Sequence, residues 1–265
     1  MVNGKQNDIK DGVRQHYANR ARQAAQLTVL TSSEATSCSD GTMDTAMDKS
    51  LGAYPNIYTP EDLTDIPLNS IVSSAGCGNP IALAGLKLGE RVLDLGSGGG
   101  IDCFLAAKQV GSLGYVIGLD MTLDMLTLAR RSARKFGIAN VEFIEGFIED
   151  IPLQNDYVDV VISNCVLCLS PDKYAVASES FRVLRSGGRL HISDIMALGP
   201  MPQLSRENEQ QWAVCTSGAE EEETYLEHLR SAGYVDIQIQ QDGIPRRQEG
   251  DMPDIVSVKV VAYKP

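Results

Sequence analysis

The feature that most constrains the fold is a regular alternation of short apolar segments with helical segments, which begins at residue 91. The segments between the apolar ones carry helix start and stop signals, such as Thr122 and Gly137. Strands that alternate with helices predict an α/β fold in which a doubly wound parallel sheet is covered on both faces. The five strands predicted in this region are 91–95, 115–119, 141–145, 157–162 and 189–193.

The C-terminal third departs from this alternation. Residues 195–219 contain two prolines and the single tryptophan, and we interpret them as an insertion after the fifth strand that forms a lid. Two further strands, 235–241 and 254–263, are predicted to form a terminal β-hairpin.

The N-terminal part is predicted to be an extension of the main domain. Residues 8–30 have apolar positions at spacings of three and four, which is typical of a helix. Residues 31–62 are rich in Ser, Thr, Asp and Gly and predict a mobile loop. We therefore divide the chain into an extension, 1–87, which carries two of the six cysteines, and a main domain, 88–265.

Composition argues against several classes of function. The net charge is −12 and the isoelectric point about 4.7, so the surface repels a phosphate backbone and nucleic acid is not an expected partner. No apolar run approaches the ~20 residues of a membrane-spanning helix, and the first residues do not resemble a signal peptide. We therefore expect a cytoplasmic protein without membrane contact, whose cysteines are reduced.

The motif VLDLGSGGG, residues 92–100, is the strongest indication of a cofactor. A strand leads into a glycine-rich turn, where the missing side chains let the backbone turn sharply and approach a ligand closely. Asp94 precedes Gly96 by two residues, and an acid at this place would repel a pyrophosphate but attract a cation. This favours S-adenosylmethionine over a nicotinamide dinucleotide. Ser97 and Gly98 complete the turn that we expect to contact it.

Later strand ends supply the remaining cofactor candidates. Asp120 ends the second strand and is placed to accept hydrogen bonds from ribose hydroxyls, with Met121 beside it. The third strand leads into EGFIEDIP, residues 145–152, which we expect to flank the adenine ring with Phe147 or Ile148. Each of these features alone is ordinary turn chemistry, but their order along the chain favours one cofactor site.

Over residues 88–265 the chain resembles the class I S-adenosylmethionine-dependent methyltransferases. The resemblance implies a Rossmann-like, seven-stranded sheet whose last strand is antiparallel. Phe147 stands where that family often has an acid. The cofactor residues carried over or expected beside them are Asp94, Gly96, Ser97 and Gly98 at the methionine end, Asp120 and Met121 at the ribose, Ile148 and Glu149 at the adenine, and Asn164.

Three cysteines are expected at the substrate face. Cys165 follows the fourth strand, Cys77 precedes the first and Cys215 lies in the predicted lid. The three histidines of the chain are all placed where a structural role is simpler, so the site is rich in thiols and poor in bases. Such surroundings suit a soft centre such as trivalent arsenic, whose lone pair can attack a methyl group without loss of a proton.

Two further cysteines, Cys103 and Cys168, are predicted to pack. Cys165 and Cys168 have the C-x-x-C spacing of a redox pair, but apolar neighbours predict burial instead. We interpret Cys168 and Cys103 as small buried hydrophobic residues.

Four motifs resemble arsenite S-adenosylmethionine methyltransferases: YTPEDLTDIP (58–67), AGCGNP (75–80), SNCVLCLSPDK (163–173) and CTSGAEEEE (215–223). The resemblance implies arsenite, or its thiol conjugates, as the substrate and a thiol reductant, glutathione or thioredoxin, as a co-substrate. It implies that Cys165 and Cys215 bind arsenic in every round. Cys38 and Cys77 are implied in binding inorganic arsenite and in forming a disulfide during turnover.

Two alternatives stay open from the sequence. The chain could methylate another small-molecule acceptor on the same fold, with the cysteines kept for packing. It could also be a non-enzymatic thiol protein that binds a metalloid or zinc, although the glycine-rich turn speaks against this.

Overall fold

The computed structural model describes residues 2–33, 57–203, 205–207 and 212–265. In this part of the chain, seven strands form one sheet in the order β3-β2-β1-β4-β5-β7-β6. The strands are β1 (Arg91–Leu95), β2 (Tyr115–Asp120), β3 (Val141–Glu145), β4 (Val158–Asn164), β5 (Leu184–Ala197), β6 (Val235–Gln241) and β7 (Ile255–Tyr263). The described helices are α1 (Val2–Ser33), Pro60–Leu63, Leu68–Ser73, Pro80–Ala84, Ile101–Val110, Leu123–Phe136, Lys173–Val183 and Glu222–Ala232.

Strand direction agrees with the predicted fold class. β1 to β5 run parallel, whereas β7 is antiparallel to both of its neighbours, β5 and β6. The predicted terminal hairpin is confirmed, with the addition that β7 lies between β5 and β6 in the sheet. Because the parallel strands end at the same edge, the segments that follow β1, β2 and β4 lie side by side.

Residue alternation along each strand divides the core into two layers. In β1, Leu93 and Leu95 pack in one layer with Val176, from the helix Lys173–Val183. Val92 points the other way and packs in the second layer with Phe104. Each layer contains residues of a helix, Val176 in the first and Phe104 in the second. The expectation of helices on both faces of the sheet is therefore confirmed.

β5 is longer than the predicted strand 189–193. It extends to Ala197 because β7 pairs along it as far as the partners Ala197 and Ile255. Residues 195–197 of the predicted lid therefore belong to β5. The structure describes 198–203, 205–207 and 212–219 of the remainder, and their role as a lid stays a prediction.

The N-terminal helix α1 is longer than predicted at both ends and packs against the helices Leu68–Ser73 and Leu123–Phe136. Arg20 fixes this contact by donating to the backbone oxygens of Ser73, at 2.9 Å, and Ser74. The predicted loop 31–62 lies mostly outside the described residues, and the division of the chain at residue 87 stays a prediction. No helix in the described ranges has the length and apolar character required to cross a bilayer.

One buried ion pair joins the amino end of β1 to β5. Arg189 contacts both carboxylate oxygens of Glu90, at 2.7 and 2.9 Å, and also donates to the backbone oxygens of Ala84 and Gly85. Glu90 is 8% exposed, so removal of the guanidinium would leave a carboxylate without its counter-ion in a place that water scarcely reaches.

We expect Arg189→Met to lower the free energy of unfolding by about 3–5 kcal/mol, the usual effect of breaking a buried pair. Urea unfolding monitored by circular dichroism measures this loss. The double variant Glu90→Leu, Arg189→Met removes both charges and should lose much less. Equal losses in the single and double variants would show that the unpaired carboxylate is not the cause.

Candidate functional site

The segments after β1, β2 and β4 surround one cavity, and α1 forms its outer wall through Lys10, Val13 and Tyr17. A cleft at the carboxyl edge of a parallel sheet is the usual place for a small-molecule ligand. The predicted cofactor residues that line it are Gly96, Ser97, Gly98, Asp120, Met121, Ile148, Glu149 and Asn164.

The glycine-rich turn forms the floor of the cavity. Gly96 and Gly98 have φ of 68° and 50°, in the left-handed region that favours glycine. A Cβ at Gly96 would also collide with the side chain of Val166. The hydroxyl oxygen of Ser97 is buried beside the cavity and has no hydrogen-bond partner among the described residues. A buried polar atom without a partner is consistent with a ligand that supplies one.

Asp120 is held at the end of β2 by backbone donors. The amides of Gly98 and Thr122 donate to its two carboxylate oxygens, at 2.8 and 2.7 Å. These bonds fix the carboxylate at the cavity wall. Its contact with a ribose stays a prediction.

Asp94 is placed differently from what the sequence suggests. It shares the face of β1 that packs against the helix Ile101–Val110 and is not among the residues that line the cavity. Its carboxylate accepts a hydrogen bond from the Cys103 thiol at 3.2 Å. Burial raises its pKa well above the usual range. Asp94 therefore lies outside the cavity lining, and its place at the methionine end of the cofactor stays a prediction.

A further acid, Asp102, follows the glycine-rich turn and was not among the predicted cofactor residues. It lines the cavity from the first turn after the glycines, and burial raises its pKa to about 6. Tyr58 donates to it at 2.9 Å. Its place directly after the glycine-rich turn is the signal by which the sequence indicates this acid.

The predicted adenine side of the cavity is closed by α1. Glu149 accepts a hydrogen bond from Ser170 at 2.6 Å and pairs with Lys10 at 3.2 Å. The Lys10 ammonium also lies 5.0 Å from the ring centre of Phe147. These contacts tie the helix to the segment after β3, and no local sequence pattern indicated them. The predicted contacts of Ile148 and Glu149 with adenine stay predictions.

The side-chain amide of Asn164 joins two segments that are far apart in the sequence. Its oxygen accepts from the backbone amides of Cys77 and Gly78, at 3.0 and 3.2 Å. Its nitrogen donates to the oxygens of Gly78, Tyr58 and Asp102, at 2.7, 3.1 and 3.1 Å. Asn164 lines the cavity, as predicted for a cofactor residue, but its hydrogen bonds in the structure hold the segment that carries Cys77.

Buried thiols converge at one end of the cavity. The sulfur of Cys165 lies in two groups of candidate ligand atoms, each with all members within 4.8 Å of one another. One group adds Cys77 and Asp194, and the other adds Cys168 and Cys215. All five cysteines of the described residues are free and buried, and Cys165 itself lines the cavity. Cys38 lies outside the described residues, so its role stays a prediction.

Two of these cysteines have unusual backbone conformations. Cys165 and Cys215 have φ of 60° and 66°, a region that costs a residue with a side chain about 1–3 kcal/mol. Gly218 allows the segment that carries Cys215 to approach Cys168 closely, because a Cβ at position 218 would overlap the carbonyl oxygen of Cys168. Such strained positions persist where the surrounding structure fixes them, often at functional sites.

The environment of this cluster of thiols favours the thiolate form of one cysteine, Cys215. Hydrogen bonds from Cys165 and Cys168 lower the pKa of the Cys215 thiol well below its ordinary value. Tyr17 adds a further hydrogen bond from α1. Burial raises the pKa of Asp194, behind the thiols, to about 7. The sequence showed Asp194 only as the end of the fifth strand, and its closeness to the thiols depends on the fold.

We expect Asn164→Asp to loosen the segment that carries Cys77. The substitution keeps the acceptor but removes the donors to Gly78 and Tyr58 and places a second carboxylate beside Asp102. The alkylation rate of Cys77, measured by peptide mass spectrometry, should rise about 10-fold.

Asn140→Asp is the matched control, because the Asn140 amide donates to two backbone oxygens, of Ala107 and Gly111, away from the cavity. That variant should leave the Cys77 rate unchanged. An unchanged Cys77 rate in Asn164→Asp would refute the positioning role.

Comparison with known proteins agrees with this geometry. The family described as "Methyltransferase domain" matches residues 86–233. An arsenite methyltransferase of Halobacterium salinarum is 45% identical over 164 residues, which cover 62% of this chain and 42% of that protein. An arsenite methyltransferase of Aquipseudomonas alcaligenes is 41% identical over 174 residues, which cover 63% of this chain and 50% of that protein. The chain thus spans half or less of the length of these two curated relatives.

A solved structure extends the similarity to the fold. The crystal structure of an arsenic(III) S-adenosylmethionine methyltransferase from Chlamydomonas reinhardtii is 34% identical, with a TM-score of 0.63. The match covers 83% of this chain and 73% of that one. The chain therefore belongs to the class I S-adenosylmethionine-dependent methyltransferases, and within them to the family of the arsenite methyltransferases.

Proposed function

We propose that this protein transfers methyl groups from S-adenosylmethionine to trivalent arsenic held by cysteine thiolates. The observation that carries the proposal is the meeting of buried thiols at one end of the cavity, where Cys165 lines the wall and Cys77 and Cys215 each share a ligand group with it. Soft thiolate ligands prefer a soft centre over magnesium or calcium.

The residues of the cavity fit the cofactor. Gly96 and Gly98 leave room for close approach, Ser97 offers a buried hydroxyl, and Asp120 offers a fixed carboxylate for a ribose. The buried acid Asp102 favours a ligand with positive charge. S-adenosylmethionine bound there would supply an electrophilic methyl group.

Arsenic is the substrate in this proposal, and the thiols orient it. When three thiols bind arsenite, three arsenic–sulfur bonds replace three arsenic–oxygen bonds and three waters leave. The lone pair of arsenic then points away from the sulfurs, and Cys165, which lines the cavity, would hold the arsenic at its wall. Because no proton has to be removed, the absence of histidine from the residues that line the described cavity is no obstacle.

Turnover requires reduced thiols. Methylation raises the formal oxidation state of arsenic by two, and two cysteines that form a disulfide can return those electrons. We propose that Cys38 and Cys77 take this part and that glutathione or a thioredoxin-type protein reduces the pair again. The free thiols of the described residues fit a reducing cytoplasm, which we propose as the location.

The test is to incubate the full chain with arsenite, glutathione and S-adenosylmethionine and to identify methylated arsenic by mass spectrometry. We expect Cys165→Ser and Cys215→Ser each to lower the rate by about 100-fold or more, since each removes a ligand that positions the reacting atom.

Cys103→Ser serves as the matched control. Cys103 is also a buried thiol, but it packs in the second core layer, with Val92 and Phe104. Serine at this position keeps the hydrogen bond to Asp94. Full activity of Cys165→Ser or Cys215→Ser would contradict the thiolate mechanism. Methyl transfer to an organic acceptor without arsenite would support the alternative substrate class.

A further inference from the structure

Cys168, predicted to be a packing residue, belongs to a complete group of three sulfurs. The sulfurs of Cys165, Cys168 and Cys215 all lie within 4.8 Å of one another, and those of Cys165 and Cys168 are 4.0 Å apart. Some point therefore lies within about 2.8 Å of all three atoms, close to the ~2.3 Å of a metal–thiolate bond. Small side-chain adjustments would bring the three sulfurs onto one atom.

Independent backbone contacts aim each of the three thiols. The Cys165 amide donates to the Ser193 oxygen at 2.7 Å, at the end of β4. The Cys168 amide donates to the Asp194 carboxylate at 3.1 Å, within the 3₁₀ turn Leu167–Leu169.

The third thiol comes from the segment after β5. The Cys215 amide donates to the Trp212 oxygen at 2.9 Å. Together these three bonds fix the backbone positions from which the three thiols project.

The alternative group around Cys165 is less suited to a soft centre. It contains two sulfurs, from Cys77 and Cys165, and a carboxylate oxygen of Asp194. Thiolates bind a soft centre better than a carboxylate does. Among the described residues, the three-sulfur set without oxygen is therefore the one that includes Cys168.

We propose that Cys168 is a third thiolate ligand for a trivalent arsenical, so that Cys165, Cys168 and Cys215 form a three-sulfur site that does not need Cys77. This inference rests on the proposed function only in the choice of arsenic as the bound atom. Arsenite loses its three hydroxyls as water, taking up the three thiol protons, and three arsenic–sulfur bonds form. No electrons are exchanged in this step.

The test uses the double variant Cys38→Ser, Cys77→Ser as background, so that the N-terminal thiols cannot contribute. Sodium arsenite is added, and X-ray absorption counts the sulfur neighbours of arsenic. We expect three sulfurs in this background. When Cys168→Ser is added, we expect two sulfurs and one oxygen, and affinity about 100-fold weaker because one of three tethered bonds is lost.

Affinity can be followed through the single tryptophan. Trp212 is buried, donates to the Leu169 oxygen at 2.8 Å and accepts from the Cys215 amide, so its emission reports on the three-sulfur site. Cys103→Ser in the same background should keep three sulfurs and unchanged affinity. A urea midpoint of the Cys168→Ser variant equal to that of its parent background would show that loss of binding is not loss of folding.

Two results would overturn the proposal: two sulfurs around arsenic while Cys168 is intact, or three sulfurs and unchanged affinity after Cys168→Ser. Failure of the proposed function looks different. It would appear as absence of methylated arsenic from the wild-type chain even where absorption shows three sulfurs bound.

Discussion

The side-chain amide of Asn164 is the connection on which the site depends. It is the last residue of β4, so the sheet fixes its backbone. Four of its five hydrogen bonds go to residues that precede β1, and the fifth goes to Asp102. Gly76 makes this possible, because a Cβ there would overlap the amide. A buried network of this kind is rigid only when every member is satisfied. The position of Cys77 therefore depends on the sheet rather than on its own short segment.

The sheet itself could be predicted from sequence because its signals are local. Apolar runs, a glycine-rich turn and a helix stop at Gly137, with φ of 67°, each follow from a few neighbouring residues. The end of β5 could not be predicted in this way. Its last residues pair with β7, about 60 residues later in the chain, and a local pattern carries no information about such a partner.

The cofactor side of the site was partly predictable for the same reason. The sequence could place Asp120 and the glycines of the turn at one cavity, because strand ends in this fold class meet at one edge of the sheet. The pleat of β1 turns the Asp94 side chain toward Cys103, an orientation that its distance from Gly96 along the sequence does not indicate. The convergence of Cys168 with Cys215 depends on the close approach of Gly218, and that contact exists only after both segments have folded.

The left-handed backbone conformation of Cys165 and Cys215 has a consequence for the evolution of the chain. At Cys165 and Cys215 a glycine would relieve backbone strain, so selection for stability alone would tend to replace both residues. The proposed role of the two sulfurs as ligands would account for this cost in stability. A descendant that no longer binds a soft ligand would be expected to lose these two cysteines first. Cys103, which has no such strain and packs in the second core layer, would persist.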